Sequence, residues 1–161
     1  MTCTKKVSPK RAMIFLVFWV VWLGAAGRIG NCQNLTIDSQ KGNMKESVMF
    51  TVSVKNAPNS VQCFGFEVHF NPQVLAYSQY ERGEMVEKCK YFSCVQVEPG
   101  VLRCGGFNTA KNTIPSGQSG NVLFLYFKKV KCQNSTLSID GEVDDLKDWE
   151  TGSGRFTCWR N

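Results

Sequence analysis

The feature that most constrains this chain is a strict two-residue alternation. Phe64, Phe66, Val68 and Phe70 are apolar, and Gly65, Glu67 and His69 stand between them. Successive side chains of a strand point to opposite faces, so the run reads as a strand with one buried face. Val48, Phe50, Val52 and Val54 alternate with Met49, Thr51 and Ser53 in the same way. Further strands are expected at 34–38, 74–80, 90–97, 101–107, 121–130 and 135–140. Turn formers separate them: Asn56-Ala57-Pro58-Asn59, Asn71-Pro72, Glu98-Pro99-Gly100 and Pro115-Ser116-Gly117. No long stretch carries a helical period. Short strands between Gly/Pro turns define an all-β class, a two-sheet antiparallel β-sandwich with jelly-roll-like topology. Eleven Phe with Val and Leu supply its core.

The first 27 residues follow a different logic. Lys5, Lys6, Lys10 and Arg11 form a basic start, Met13 to Leu23 is continuously apolar, and Gly24-Ala25-Ala26-Gly27 is small. These are the three parts of a secretory signal peptide, with the cut expected after Ala26 or Gly27. An uncleaved anchor is the competing reading, but the apolar run is shorter than the roughly 20 residues of a spanning helix. The expected organisation is a signal peptide at 1–27, a sandwich domain at 28–145 and a polar C-terminal tail at 146–161. The expected location is secreted or in the cell envelope, touching membrane only through the signal segment. The formal charge of +6 is inflated by that segment. Removing it leaves 15 of the 19 basic residues against 13 acidic ones, a net of +2. Such a balance does not support a nucleic-acid partner.

Eight cysteines occur, and Cys3 leaves with the signal. In an exported chain the remaining seven are expected mainly as disulfides, with at least one left over. No C-x-x-C pair occurs and there is one histidine, so a zinc site is not expected. Cys32 would carry a lipid only as the first mature residue, and Ile29-Gly30-Asn31 is a poor signal for that. One pairing follows from local geometry. If 90–97 and 101–107 form a hairpin around Glu98-Pro99-Gly100, Val97 pairs with Val101. Counting outward then sets Cys94 opposite Cys104, near bridging reach.

Catalytic chemistry finds little support. Any Ser-His-Asp or Cys-His arrangement must use His69, and Cys63 lies about 20 Å away along the same strand. Asp140-Gly141-Glu142-Val143-Asp144 resembles half a calcium loop. Thr136 and Ser138 occupy the earlier ligand positions, and Lys147 stands where the bidentate acid belongs. No catalytic residue, metal or cofactor is therefore expected. Asn34-Leu35-Thr36 and Asn134-Ser135-Thr136 are N-glycosylation sequons, meaningful in a eukaryotic source and chance matches in a bacterial one. Tyr77, Tyr80, Tyr91 and Trp149 are candidates for exposed rings that would stack on a sugar.

Three segments carry a resemblance to the cohesin domain: Phe50 to Pro58, Phe64 to Leu75, and Gly120 to Lys128, with Arg82-Gly83-Glu84-Met85 between the last two. In the second, Phe70-Asn71-Pro72-Gln73-Val74-Leu75 is similar to the family's Tyr-Asp-Pro-x-Val-Leu. The resemblance implies a non-catalytic module that holds a dockerin-like protein partner through one sheet face. The outward positions there are Cys63, Gly65, Glu67 and His69. Well-known cohesins are polar near Cys63 and Gly65, and this chain is not, which points away from ordinary dockerin recognition. Glu67 and His69 remain as partner-binding candidates, with Arg103 on the expected neighbouring strand. The family's strand neighbours also imply a Cys63–Cys132 pair. A carbohydrate-binding module taking a polysaccharide is the alternative, because related sandwiches share much of the pattern. A row of coplanar exposed rings would favour sugar, and a flat face without one would favour a protein.

Overall fold

The computed structural model describes residues 33–43, 47–109 and 113–159. The signal segment and Cys32 lie outside them. Eleven strands form: β1 (Leu35–Ile37), β2 (Gln40–Gly42), β3 (Val48–Val54), β4 (Cys63–His69), β5 (Leu75–Arg82), β6 (Tyr91–Glu98), β7 (Val101–Phe107), β8 (Gly120–Lys129), β9 (Ser135–Asp144), β10 (Thr151–Gly152) and β11 (Gly154–Cys158). They make two sheets, in the orders β10-β1-β3-β8-β5 and β2-β11-β9-β4-β7-β6. This is the all-β sandwich read from the alternation.

The alternating runs behave as their period requires. Phe50, Val52 and Val54 of β3 bury against Phe66 and Val68 of β4, in one core with Leu125, Phe127, Leu102 and Phe156. Phe127 sits at its centre, with edge-on contacts to Phe50, Phe70 and Tyr77 at 5.7, 5.0 and 5.9 Å. Edge-on rings set the positive rim of one against the negative face of the next, adding to the burial of apolar area.

The hairpin from β6 to β7 shows how a correct pairing can arise from an incorrect turn. Glu98, not Val97, pairs with Val101 across a tight Pro99-Gly100 turn. Proline at the second turn position and Gly100 at φ 91° are what a type II turn requires. Val97 is squeezed out as a bulge between Gln96 and Glu98, and this extra residue restores the count. Cys94 therefore stands opposite Cys104, and the two are joined by a disulfide.

Two expectations need correction. Within the expected tail at 146–161, the described residues 146–159 fold into the sandwich. Trp149 and Phe156 are buried, β10 extends one sheet, and β11 is inserted between β2 and β9 of the other. The polar appearance comes from strands too short to show alternation and from the crossover Gly152-Ser153-Gly154. There a side chain on Gly154 would collide with the carbonyl of Asp38. The first and last segments switch sheets together, so β1 with β10 and β2 with β11 pair in parallel, the exceptions to the antiparallel pattern. The Cys63–Cys132 pair is also wrong. Cys132 bonds Cys158, and Cys63 is a free thiol. Cys132 precedes the start of β9, whereas Cys63 lies beside its end at Asp144, so the strand's ten residues, roughly 30 Å, separate them.

Candidate functional site

The outward face of β9, β4, β7 and β6 is built by the same alternation that builds the core. With Phe64, Phe66 and Val68 turned inward, Gly65, Glu67 and His69 turn out. The register sets Glu67 directly opposite Arg103 and, on its other side, Asp140. Arg103 donates from Nε and Nη2 to Glu67 Oε1 at 3.0 and 2.8 Å. His69 Nε2 lies 3.4 Å from Glu67 Oε2. The three residues picked out from the sequence thus form one contiguous group. Glu67 is the enclosed member, its side chain 24% exposed against 65% for Arg103, so it positions the outer two.

Around this group lies apolar surface that sequence reasoning did not single out. Tyr91, Val95, Val97, Phe107 and Val143, all on these strands, are five of the eight large apolar side chains exposed among the described residues. Alternation could have found Val95, which shares the parity of Tyr91, whereas Val97 sits at the bulge, where parity is lost. Phe107 and Val143 join them only through strand pairing. The Tyr91 and Phe107 rings stack at 4.5 Å with 20° between planes, and Lys90 Nζ lies 5.2 Å from the Tyr91 centroid. Each ring thus covers a face of the other, and the pair stands as a ridge on the sheet. Of the other rings considered for sugar stacking, Trp149 is buried and donates to Asn59, while Tyr77 and Tyr80 pack against the core.

At the far end of β4, Cys63 is half-buried and donates its thiol to Asp144 Oδ2 at 3.2 Å. Burial raises its pKa above the ordinary value, and the hydrogen bond to Asp144 and the charges of Asp144 and Asp145 push it further the same way. The thiol therefore stays protonated at neutral pH and is a poor nucleophile. Asp145 accepts from the backbone N–H groups of Cys63 and Gln62 at 3.0 and 2.7 Å, and these bonds hold its carboxyl below its usual range. It anchors the start of β4, and with it the whole row. Among the described residues no cluster of His, Cys, Asp and Glu is arranged to hold a metal ion.

The open edge of the face is protected. On the outer side of β6 the carbonyls of Phe92 and Cys94 accept from Arg82 Nη2 and the Tyr77 hydroxyl at 3.2 and 3.3 Å. These side chains from β5 occupy acceptors that another strand would otherwise use, which blocks edge-to-edge pairing.

Comparison with known proteins agrees with this architecture. The sixth cohesin of scaffoldin B from Acetivibrio cellulolyticus, solved in complex with a dockerin, superposes with a TM-score of 0.66 at 19% identity, covering 78% of this chain and 98% of that one. A type I cohesin–dockerin complex from Clostridium thermocellum gives 0.65 at 16%, with coverages of 78% and 98%. A non-cellulosomal cohesin from the archaeon Archaeoglobus fulgidus gives 0.64 at 16%, with coverages of 79% and 91%. No curated protein matches in sequence. The family model for the cohesin domain matches residues 33–148, and the chain belongs to the cohesin family.

Proposed function

We propose that this protein is an exported, non-catalytic docking module that holds a protein partner of the dockerin type on the outward face of β9, β4, β7 and β6. The observation that carries this reading is the concentration of exposed apolar side chains around the Arg103–Glu67–His69 group on that one face. Apolar patches rimmed by charge mark interaction surfaces, and contact energy concentrates in a few central residues. The cohesins of Acetivibrio cellulolyticus and Clostridium thermocellum were solved with dockerins bound, which supports the same class of partner here. Binding rather than turnover fits the site chemistry. The single histidine is engaged with Glu67, and the thiol on the face is held protonated. A polysaccharide is the weaker alternative, because the exposed Tyr91–Phe107 pair stacks on itself and presents a ridge instead of a platform. Export rests on the leader-like first 27 residues.

The test is calorimetric titration with a panel of dockerin modules and a panel of plant and microbial polysaccharides. The expected result is saturable binding of at least one dockerin, weakened at least tenfold by Arg103→Ala and by Glu67→Ala in variants that melt like the wild type. Polysaccharide binding with no dockerin binding, or dockerin binding unchanged by both substitutions, overturns the reading.

A further inference from the structure

The docking face is organised in rows that run across the strands. One row holds Tyr91, Phe107 and Cys63, closed on the β9 side by the Asp144 carboxylate. The next holds Ser93, Gly105, Gly65 and Val143. The third holds Val95, Arg103, Glu67 and Asp140. Three of the four middle positions carry a hydroxymethyl group or no side chain at all. A trough therefore crosses β6, β7 and β4, between the aromatic ridge and the charged row. Its walls are four residues apart along each strand, about 13 Å between Cα atoms, and four strands make it about 14 Å long. Val143, half exposed, stands over Gly65 and closes the β9 end. A cleft of about 470 Å³ runs along the aromatic side of the trough, lined by Cys63, Lys90, Tyr91, Ser93, Gly105 and Phe107 among others.

Charge is polarised along the same direction. Lys90 and Arg103 lie toward β6 and β7, one over the Tyr91 ring and the other with 65% of its side chain exposed. Glu67, Asp140 and Asp144 lie toward β4 and β9. Both flanking rows run from positive to negative in the same sense.

We propose that the trough is the specificity element of the face. It takes one bulky apolar side chain from a partner segment lying across the strands, with acidic groups of that segment toward Lys90 and Arg103 and basic groups toward Asp140 and Asp144. The inference rests on the docking reading and adds the chemistry of the partner to it. A large apolar residue would remove Tyr91, Phe107, Val95 and Val143 from water together, whereas a small one would leave a void between the rows. A segment with the opposite charge order would set like charges against each other at both ends, which excludes wrong partners more strongly than it strengthens right ones.

The probe is a phage-displayed library of a small helical scaffold randomised on one face and selected on the whole protein. Binders are measured against the wild type, Ser93→Leu, Gly65→Leu, Arg103→Ala and Glu67→Ala, and their charge order is tested with Lys90→Glu. Ser93 is exposed, and a Cβ on Gly65 meets Val143 Cγ2 at 2.9 Å, so Val143 must shift to admit it, and the Cys104 carbonyl at 3.9 Å; both substitutions place apolar bulk in the trough. The expected binders carry a central Leu, Ile, Met, Phe or Trp with acids on one side and Lys or Arg on the other. They weaken at least tenfold on Ser93→Leu and on Gly65→Leu, and Lys90→Glu is rescued when the facing acid of the binder becomes Lys. Should Gly65→Leu fail to fold, Ser93→Leu decides alone. Binders that respond to Arg103→Ala and Glu67→Ala but not to trough filling overturn the trough and leave the docking face standing. Binders indifferent to all four substitutions overturn the docking face itself.

Discussion

The two outer faces of the sandwich are made by the same rule and finished differently. On the five-stranded side, Ser53 Oγ donates to Asn121 at 2.9 Å, and the Tyr126 hydroxyl donates to Glu81 at 3.0 Å. Met49, at 38%, is the one large apolar side chain of β3 and β8 exposed beyond a third. On the six-stranded side five large apolar side chains stand in water beside an Arg103–Glu67–His69 group. The first face pairs these polar side chains with one another. The second leaves apolar area exposed around a charged group, and it is the face on which docking is proposed. Burial into a core is demanded of both sheets, so what distinguishes the faces is the residues with no core duty.

This contrast can be broken at several depths. The deepest test is the shared core. Phe127→Ala removes the ring on which Phe50, Phe70 and Tyr77 converge and should cost about 3–5 kcal/mol in denaturant unfolding. Both faces should fail together, and a variant that keeps normal stability would show that the faces do not share one core. Next in size is the face itself. Glu67→Ala should weaken partner binding by about 2–5 kcal/mol. It should change unfolding free energy by no more than about 1 kcal/mol, because Arg103 is mostly exposed. Glu81→Ala, on the opposite face, should leave binding untouched. An equal loss from Glu81→Ala would assign the partner to the other side.

The remaining disulfide gives a control outside the β9-β4-β7-β6 part of the six-stranded sheet. Cys132 and Cys158 are 26 residues apart and tie the last strand to the loop before β9. Replacing both by Ser should cost about 3 kcal/mol of stability. Binding measured well below the melting temperature should be unaffected, because β11 lies outside the β9-β4-β7-β6 face. Loss of binding in a folded double variant would extend the site to β11.

The smallest expected effect is a matched pair of acid titrations, one for each sheet. Asp145 accepts backbone N–H groups at the start of β4. Glu84 accepts the N–H of Asn121 at the start of β8. Both carboxyls are held below their usual range, so each stabilises the fold above its unfolded value, near 4. That contribution declines as pH falls through the lowered folded value. Asp145→Asn and Glu84→Gln should each flatten the fall in melting temperature below about pH 4, with no change in its slope above pH 6. A variant that melts with the same acid limb as the wild type would show that its carboxyl is not held this way.

The sequence by itself determined what depends on neighbours along the chain. Alternation placed β3 and β4 and chose their buried faces, because a period of two is a property of consecutive residues. The Cys94–Cys104 opposition was within reach of a local count, although the turn was misassigned and the Val97 bulge compensated. Glu67 and His69 were legible as outward positions on one strand. Only the tertiary structure decided the rest. Arg103 meets Glu67 across 36 residues, and Cys132 finds Cys158 because the last strand is laid beside β9. The strands after Trp149 are too short to show a period, and they take their conformation from the neighbours that supply their hydrogen bonds. The trough is the clearest case. Ser93, Gly105, Gly65 and Val143 share nothing along the chain, and strand register alone brings them into one row.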